Sequence, residues 1–293
     1  MRAVVICTAA FFSLTTLASD AQQNPLVAPG AQVKRIRGGF GFLEGPAAHP
    51  DGALYFTDIP NERIHRLTAD GRVTTVRESS GRANGLRFDL DGNLLVCEMG
   101  SRRITSIDMA GNGDVTVIAE RYEGERFNSP NDLWVDPKGG IYFSDPRYGS
   151  TDDQEITGYH IYYISPDRSE VRRVADDLMR PNGIVGAPDG SRLYIADHGA
   201  GRTFVYTPLK NGSLTNKQLF AEQGADGMSM DEMGNVYLTG ENITIYNPTG
   251  HLVSSIAVPE PPSNLTFGGP AGTTLFITAR TSLYSVEMTV TGQ

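Results

Sequence analysis

One pattern returns six times along the 293-residue chain, and it restricts the fold more strongly than any other feature. Each copy has a polar residue, a short apolar stretch, a turn with Asp-Gly or a relative, and a strand such as Leu-Tyr-Phe. Successive copies begin 38 to 51 residues apart, which is the length of one four-stranded propeller blade. The sequence therefore predicts an all-β fold, a six-bladed β-propeller. The polar residues that open the copies are Glu44, Asn84, Asn131, Asn182, Asp226 and Asn264.

The two ends of the chain are expected to close the propeller. The last copy has three strands of its own, the third at residues 282–287. Residues 32–37 form a strand-like segment before the first copy, and pairing with the last copy would remove an exposed sheet edge. We therefore predict one domain from residue 22 to residue 293, with residues 152–158 in a surface loop.

The N-terminus has the pattern of a signal peptide. Arg2 precedes an apolar run that ends near Leu17, and small residues follow at positions 18, 19 and 21. The run is shorter than the roughly 20 apolar residues that a membrane-spanning helix needs. We predict residues 1–21 as the signal peptide of a periplasmic or secreted protein with no membrane attachment after cleavage. Cleavage would leave Cys97 as the only cysteine, and its apolar strand favours a place in the core.

Charge and motif content exclude two functional classes. The formal net charge is -9, with no block of basic residues interleaved with aromatic ones, which argues against nucleic acid as a partner. No Gly-x-Ser-x-Gly is present, and the five histidines lack the spacing of a catalytic or metal triad, which disfavours a serine hydrolase. His198 is expected either in a surface loop or at the mouth of the channel.

The opening position of the repeat predicts a metal site. Equivalent positions in a radial repeat form a ring about the axis, so the six polar side chains should converge there. Burying carboxylates and amides without partners is costly, and a cation would satisfy them. Their oxygens suit a hard divalent cation, Ca²⁺ first, with Mg²⁺, Mn²⁺ or Zn²⁺ as substitutes. The alternative is that each residue only caps a tight turn beside glycine, but Glu44 is not a turn former and shares the register.

Several spaced motifs resemble the gluconolactonase, senescence-marker and luciferin-regenerating-enzyme family. The likeness covers roughly residues 38 to 288. The resemblance implies a six-bladed propeller that binds one divalent metal, commonly calcium, through a Glu, Asn residues and an Asp. The motifs are Glu44-Gly-Pro, Ser129-Pro-Asn131-Asp, Arg180-Pro-Asn182-Gly, Asp226-Gly and Asn264-Leu-Thr-Phe-Gly-Gly.

Transferred to this sequence, the resemblance makes Glu44, Asn182 and Asp226 the core metal ligands. It makes Asn131 a fourth ligand or a substrate contact, whereas Asn84 and Asn264 match less well. Ser129 stands where some members have an arginine that holds the substrate, so the substrate cannot be copied from them. The candidate site residues are Glu44, Asn131, Asn182 and Asp226 for the metal, with Asn84, Asn131 and Ser129 for the substrate.

These residues predict a hydrolase for small-molecule, sugar-type lactones. A cation would polarise the lactone carbonyl for attack by water, and Asp226 is the candidate base as well as a ligand. Two alternatives are phosphotriester hydrolysis on the same metal, and a noncatalytic binding propeller with a structural metal. Glu98, Asp145 and Asp197 end strands of their repeats and are either turn caps or further catalytic groups.

Overall fold

The computed structural model describes Met1 and residues 24–293, so the predicted signal peptide lies, apart from Met1, outside the described residues. Within the described range all regular secondary structure is β-strand. None of the described residues forms an apolar helix of the length that a bilayer requires. The strands of this range build six four-stranded antiparallel sheets and one two-stranded hairpin.

The strands follow the chain blade by blade. Strand β1 (Lys34–Gly38) precedes the first blade, which contains β2 (Leu43–Ala48), β3 (Leu54–Asp58), β4 (Arg63–Leu67) and β5 (Val73–Arg77). The second blade contains β6 (Ala83–Phe88), β7 (Leu94–Glu98), β8 (Arg103–Ile107) and β9 (Val115–Ala119). The hairpin β10 (Arg121–Tyr122) and β11 (Glu125–Arg126) leads to the third blade, β12 (Leu133–Val135), β13 (Ile141–Asp145), β14 (Tyr159–Ile164) and β15 (Val171–Leu178).

The second half of the chain repeats this arrangement. The fourth blade contains β16 (Pro181–Gly186), β17 (Leu193–Asp197), β18 (Arg202–Pro208) and β19 (Leu214–Ala221). The fifth contains β20 (Met228–Met230), β21 (Val236–Thr239), β22 (Ile243–Tyr246) and β23 (Leu252–Ile256). The sixth contains β24 (Pro262–Gly268), β25 (Thr274–Ala279) and β26 (Ser282–Glu287), with β1 as its outermost strand.

The ring closes through both its inner and its outer strands. The first strand of each blade contacts the first strand of the next, and β2 touches both β6 and β24. Strand β1 pairs antiparallel with β26, so the last blade gains its fourth strand from the N-terminal side of the chain. The predicted six blades and the predicted closure are both confirmed.

Apolar side chains from adjacent blades form the cores between them. Trp134 of the third blade stacks on Tyr142 at 5.9 Å between ring centroids and packs with Ile184 and Leu193 of the fourth. Cys97 is fully buried with Phe127 and other residues of the second and third blades, and burial raises the pKa of its thiol well above the usual value. Both side chains act in packing, as the sequence predicts for Cys97.

Candidate active site

Five of the six polar repeat positions lie in register at the start of the innermost strands. Glu44, Asn84 and Asn182 lie within β2, β6 and β16, and Asn131 and Asp226 lie two residues before β12 and β20. Four of these side chains are buried and that of Asp226 is partly exposed. All but Asn182 line one cavity of about 380 Å³, and Asn182 contacts Asp226. The structure therefore gathers the predicted metal ligands at the propeller axis.

Glycine follows several ring residues because the neighbouring blade leaves no room for a side chain. A Cβ added at Gly45, whose φ is +45°, would lie 2.0 Å from the backbone oxygen of Asn84. At Gly183 a Cβ would lie 2.7 Å from the backbone oxygen of Asp226. The Asx-Gly and Glu-Gly pairs therefore serve the close approach of inner strands, and the turn-cap interpretation of the ring residues does not describe them.

Asn264 does not occupy the sixth ring position, so its predicted equivalence is wrong by one residue. Its backbone N–H donates to Thr278 Oγ1 over 3.1 Å. In the fifth blade the equivalent bond to Thr239 comes from Gly227, the residue after the ring residue Asp226. Ser263 therefore stands at the ring position. The misalignment arose because the asparagine of this blade stands one residue after the ring position, so only the pairing of strands reveals its register.

Asn264 nevertheless reaches the ring from its neighbouring position. Its Nδ2 donates to Glu44 Oε2 over 3.0 Å, and the backbone N–H of Gly45 donates to the same oxygen over 2.8 Å. These two bonds orient the Glu44 carboxylate and leave Oε1 directed elsewhere. Asn264 is thus a positioning residue for a predicted metal ligand.

A chain of hydrogen bonds runs from Asp226 to the mouth of the cavity. Asn182 Nδ2 donates to Asp226 Oδ1 over 2.7 Å and to the Tyr148 hydroxyl over 2.8 Å. The same hydroxyl lies 3.3 Å from His198 Nδ1. Because the hydroxyl accepts from Asn182, its own proton is available for donation to His198 Nδ1. His198 is exposed and lines the mouth, so both features weighed for it from the sequence are present.

Two cavities meet at this mouth. The first, of about 380 Å³, contains the ring residues, and the second measures about 350 Å³. They share Phe42, His198 and Asp226. The remaining side chains of the first are Glu44, Ile59, Pro60, Arg82, Asn84, Met99, Asn131 and Tyr148, and those of the second include Thr239, Glu241, Pro261, Pro262, Ser263 and Arg280.

The electrostatics of the two ring carboxylates favour a bound cation. Burial raises the pKa of Glu44 well above its usual value, and the nearby charge of Asp226 raises it further. Burial also raises the pKa of Asp226, against the opposing effects of His198, the hydrogen bond from Asn182 and Arg280. A positive charge between two such carboxylates would lower both pKa values and stabilise their ionised forms.

The donor set fits a hard cation. Asn84 Oδ1 is buried and has no hydrogen-bond partner among the described residues, and the amide nitrogen of Asn182 is used by Asp226 and Tyr148, which leaves its carbonyl oxygen. Residues 24–293 contain no cluster of three or more His, Cys, Asp or Glu side chains arranged for a metal. The ring offers two carboxylates and several amide oxygens, the ligand type that Ca²⁺ accepts.

Carboxylates at the ends of the second strands anchor the loops that lead into the ring. Asp145 accepts the backbone N–H of Ser129 at 2.7 Å, two residues before Asn131. Asp197 accepts the backbone N–H of Arg180 at 2.8 Å, two residues before Asn182. Glu98 instead forms ion pairs with Arg77 at 2.6 Å and Arg103 at 2.7 Å. These contacts favour the capping alternative for Asp145 and Asp197, and an ion-pair role for Glu98, over direct chemistry.

Ser129 differs from the other predicted site residues. Its hydroxyl is directed at the backbone oxygen of Met99 at 3.3 Å, and it does not line either mouth cavity. Sequence reasoning missed Tyr148, Phe42 and Met99, which do line the first cavity. The residue types at their positions change from blade to blade, so the repeat carries no signal for them.

Fold and site together define a six-bladed propeller with an axial, oxygen-lined site open to two cavities. Residues 42–281 match the family described as SMP-30/gluconolactonase/LRE-like region, and the chain belongs to that family. It is 32% identical to a gluconolactonase of Zymomonas mobilis over 279 residues, which covers 83% of this chain and 78% of that protein. It is 26% identical to the pentonolactonase XacC of Haloferax volcanii, with 80% of each chain covered.

Solved structures give the same result. A gluconolactonase of Xanthomonas campestris superposes with a TM-score of 0.84 at 29% identity, covering 92% of this chain and 93% of the other. Regucalcin from Agrobacterium tumefaciens, described as a calcium-binding protein, superposes with a TM-score of 0.76 at 21% identity, covering 91% and 96%. The second likeness shows the fold alone, and the family resemblance predicted from the sequence is confirmed.

Proposed function

We propose that this protein hydrolyses lactones of the sugar type with the help of one divalent cation, Ca²⁺ being the best match to the donors. The relatives named gluconolactonase and pentonolactonase support lactone hydrolysis, as the sequence predicts. The pairing of a buried carboxylate, Glu44, with a partly exposed one, Asp226, among amide oxygens in an open cavity is the observation that carries the proposal.

Glu44, Asn182 and Asp226 would hold the cation, with Asn131 and the unpartnered oxygen of Asn84 beside them. When bound, the cation supplies a Lewis acid for the lactone carbonyl. Asp226 is the more accessible of the two carboxylates and lines both cavities, so it can take a proton from a water molecule that attacks the ring. His198, held by Tyr148, faces the same space.

Isosteric substitution tests the assignment. Glu44→Gln and Asp226→Asn remove one negative charge each with little change in size, and we expect kcat/KM for δ-gluconolactone to fall at least about 100-fold. Glu78→Gln, an exposed carboxylate far from the axis, is the matched control. Removal of divalent metal with EDTA should abolish turnover, and added Ca²⁺ should restore it.

Three results would contradict the proposal. Full turnover by Asp226→Asn would remove the ligand and base assignments, and indifference to EDTA would exclude a required cation. Hydrolysis of a phosphotriester with no activity on any lactone would show that the site catalyses the alternative reaction, phosphotriester hydrolysis. The signal-peptide pattern also leads us to propose a periplasmic or secreted enzyme, which fractionation of the expressing cells tests directly.

A further inference from the structure

The first mouth cavity is chemically one-sided. Its polar lining comes from four ring residues, Arg82, Tyr148 and His198. Its apolar lining, here called the apolar wall, comes from Phe42, Ile59, Pro60 and Met99. No side chain of this wall contains a hydrogen-bond donor. These four side chains therefore offer contact to carbon atoms and no donor for a hydroxyl, whereas Arg82 carries the one guanidinium of the cavity lining.

The backbone around the apolar wall is held in place. The N–H of Phe42 donates to Asp58 Oδ1 over 3.2 Å, and the N–H of Ile59 donates to the backbone oxygen of Phe42 over 3.0 Å. The Arg280 guanidinium lies over the Phe42 ring, 5.4 Å from its centroid. The first two wall residues are thus fixed to one another before any substrate arrives.

The second cavity differs from the apolar wall in chemistry. Thr239, Glu241, Ser263 and Arg280 contribute hydroxyl, carboxylate and guanidinium groups along its sides. It joins the first cavity at Phe42, His198 and Asp226, next to the predicted base. A lactone ring above Asp226 could therefore direct polar substituents into the second cavity while a different substituent faces the apolar wall.

Substituents on the lactone ring meet opposite consequences at this wall. A ring hydroxyl placed there would lose its water without gaining a partner, which costs free energy. An alkyl substituent placed there would bury apolar surface, which is favourable. A sugar lactone without an alkyl substituent can make hydrogen bonds to the polar residues of the two cavities, but it has no apolar group to place against the apolar wall.

We propose that the site accepts lactones that carry an alkyl substituent on the ring, with this substituent lying against Phe42, Ile59, Pro60 and Met99. The inference rests on the proposed lactone hydrolysis and names a substrate class for the same site. The lactone is opened by water, so the ester C–O bond breaks, the carbonyl carbon gains a hydroxyl, and the ring oxygen leaves as an alcohol with the proton.

A matched pair of substrates tests the proposal. δ-Decalactone is δ-valerolactone with one pentyl chain on the ring carbon beside the ring oxygen, and we expect its kcat/KM to be at least about tenfold higher, mainly through a lower KM. Met99→Gln and Ile59→Thr place polar groups in the wall at nearly constant size, and should lower kcat/KM for δ-decalactone far more than for δ-valerolactone. The matched controls are Met233→Gln and Val253→Thr, both at exposed positions outside the mouth cavities, and they should keep the preference.

A binding measurement separates this inference from the proposed function. The δ-lactams of the same two ring systems are not turned over, so calorimetric titration reports the wall alone. If the pentyl lactam binds more tightly than the unsubstituted lactam, and Met99→Gln removes this difference, the result supports alkyl binding at the apolar wall even if no lactone is hydrolysed. Equal kcat/KM for the two lactones together with equal affinity for the two lactams would overturn the proposal while hydrolysis of δ-gluconolactone still stood. Preference retained by both wall variants would overturn it as well.

Discussion

The Tyr148 hydroxyl joins the metal-binding floor to the mouth of the cavity. It accepts a hydrogen bond from Asn182 and lies within reach of His198, so one oxygen orients an amide ligand and an imidazole at once. Burial raises the pKa of this phenol above its usual value, helped by the charge of Asp226, so Tyr148 keeps its proton near neutral pH. The neutral Tyr148 hydroxyl can therefore donate to His198 while it accepts from Asn182.

Tyr148→Phe removes this hydroxyl and leaves the ring. We expect kcat/KM for δ-gluconolactone to fall about tenfold, because Asn182 loses one of its two acceptors and His198 loses its partner. Steady-state kinetics checks the fall. Tyr159→Phe is the matched control, since the Arg180 guanidinium lies over both rings, 5.3 Å from the Tyr148 centroid and 5.7 Å from the Tyr159 centroid. Unchanged kinetics in Tyr148→Phe would show that the hydroxyl does not organise the site.

At the scale of the elements, a propeller blade supplies both the ligand and its support. In the first, third and fourth blades, the end of the second strand carries a carboxylate that caps the loop before the ring residue. Asp197 shows this most fully, because it accepts backbone N–H groups from Met179, Arg180 and Ala200 at 2.8 to 3.2 Å. The position of Asn182 thus depends on a side chain of the neighbouring strand.

Asp197→Asn turns one of these acceptors into a donor that faces backbone N–H groups. We expect the free energy of unfolding to fall by about 1–3 kcal/mol, because buried donors lose their partners. Metal affinity should weaken too, since the loop before Asn182 loses its anchor. Thermal unfolding followed by circular dichroism and calorimetric titration with Ca²⁺ measure the two effects. Asp176→Asn, at an exposed carboxylate, should change neither, and an equally stable Asp197→Asn would refute the anchoring role.

The repeat explains which parts of the site could be predicted from the sequence. Glu44, Asn84, Asn131, Asn182 and Asp226 share one position because the same strand begins each blade, so spacing alone brought them together. The assignment of Asn264 to the sixth ring position was wrong because β24 pairs with β25 in a register that residue types do not reveal.

The parts of the site that escaped prediction come from loops. Ile59 and Met99 directly follow the second strands of their blades, and Tyr148 lies three residues after the end of β13, but the residue types in these connections change from blade to blade. Their convergence depends on how the ring folds, which a linear pattern does not contain. The repeat therefore predicts the ligands of the predicted cation, whereas the chemistry of the substrate pocket needs the coordinates.

For the whole molecule, closure of the ring is what keeps the axial site together. Strand β1 covers the edge of β26, and the bridge between Val27 and Met288 ties the segment before β1 to the same blade. Ile36 of β1 packs against a cluster that includes Leu283 and Leu43. Leu43 directly precedes Glu44 in the chain. The closing strand thus supports the inner strand that carries a predicted metal ligand.

Ile36→Asp tests closure without shortening the chain. A charge placed in the cluster between the first and last blades loses water without gaining a partner, so we expect β1 to detach from β26. The freed edge would pair with other molecules, which predicts a lower melting temperature and aggregation that grows with protein concentration. Thermal unfolding and light scattering measure both. Arg35→Asp changes an exposed side chain of the same strand and should stay folded and monodisperse. If both variants behave like the parent, the ring holds without this strand, and the support for Glu44 must come from β24 and β6 alone.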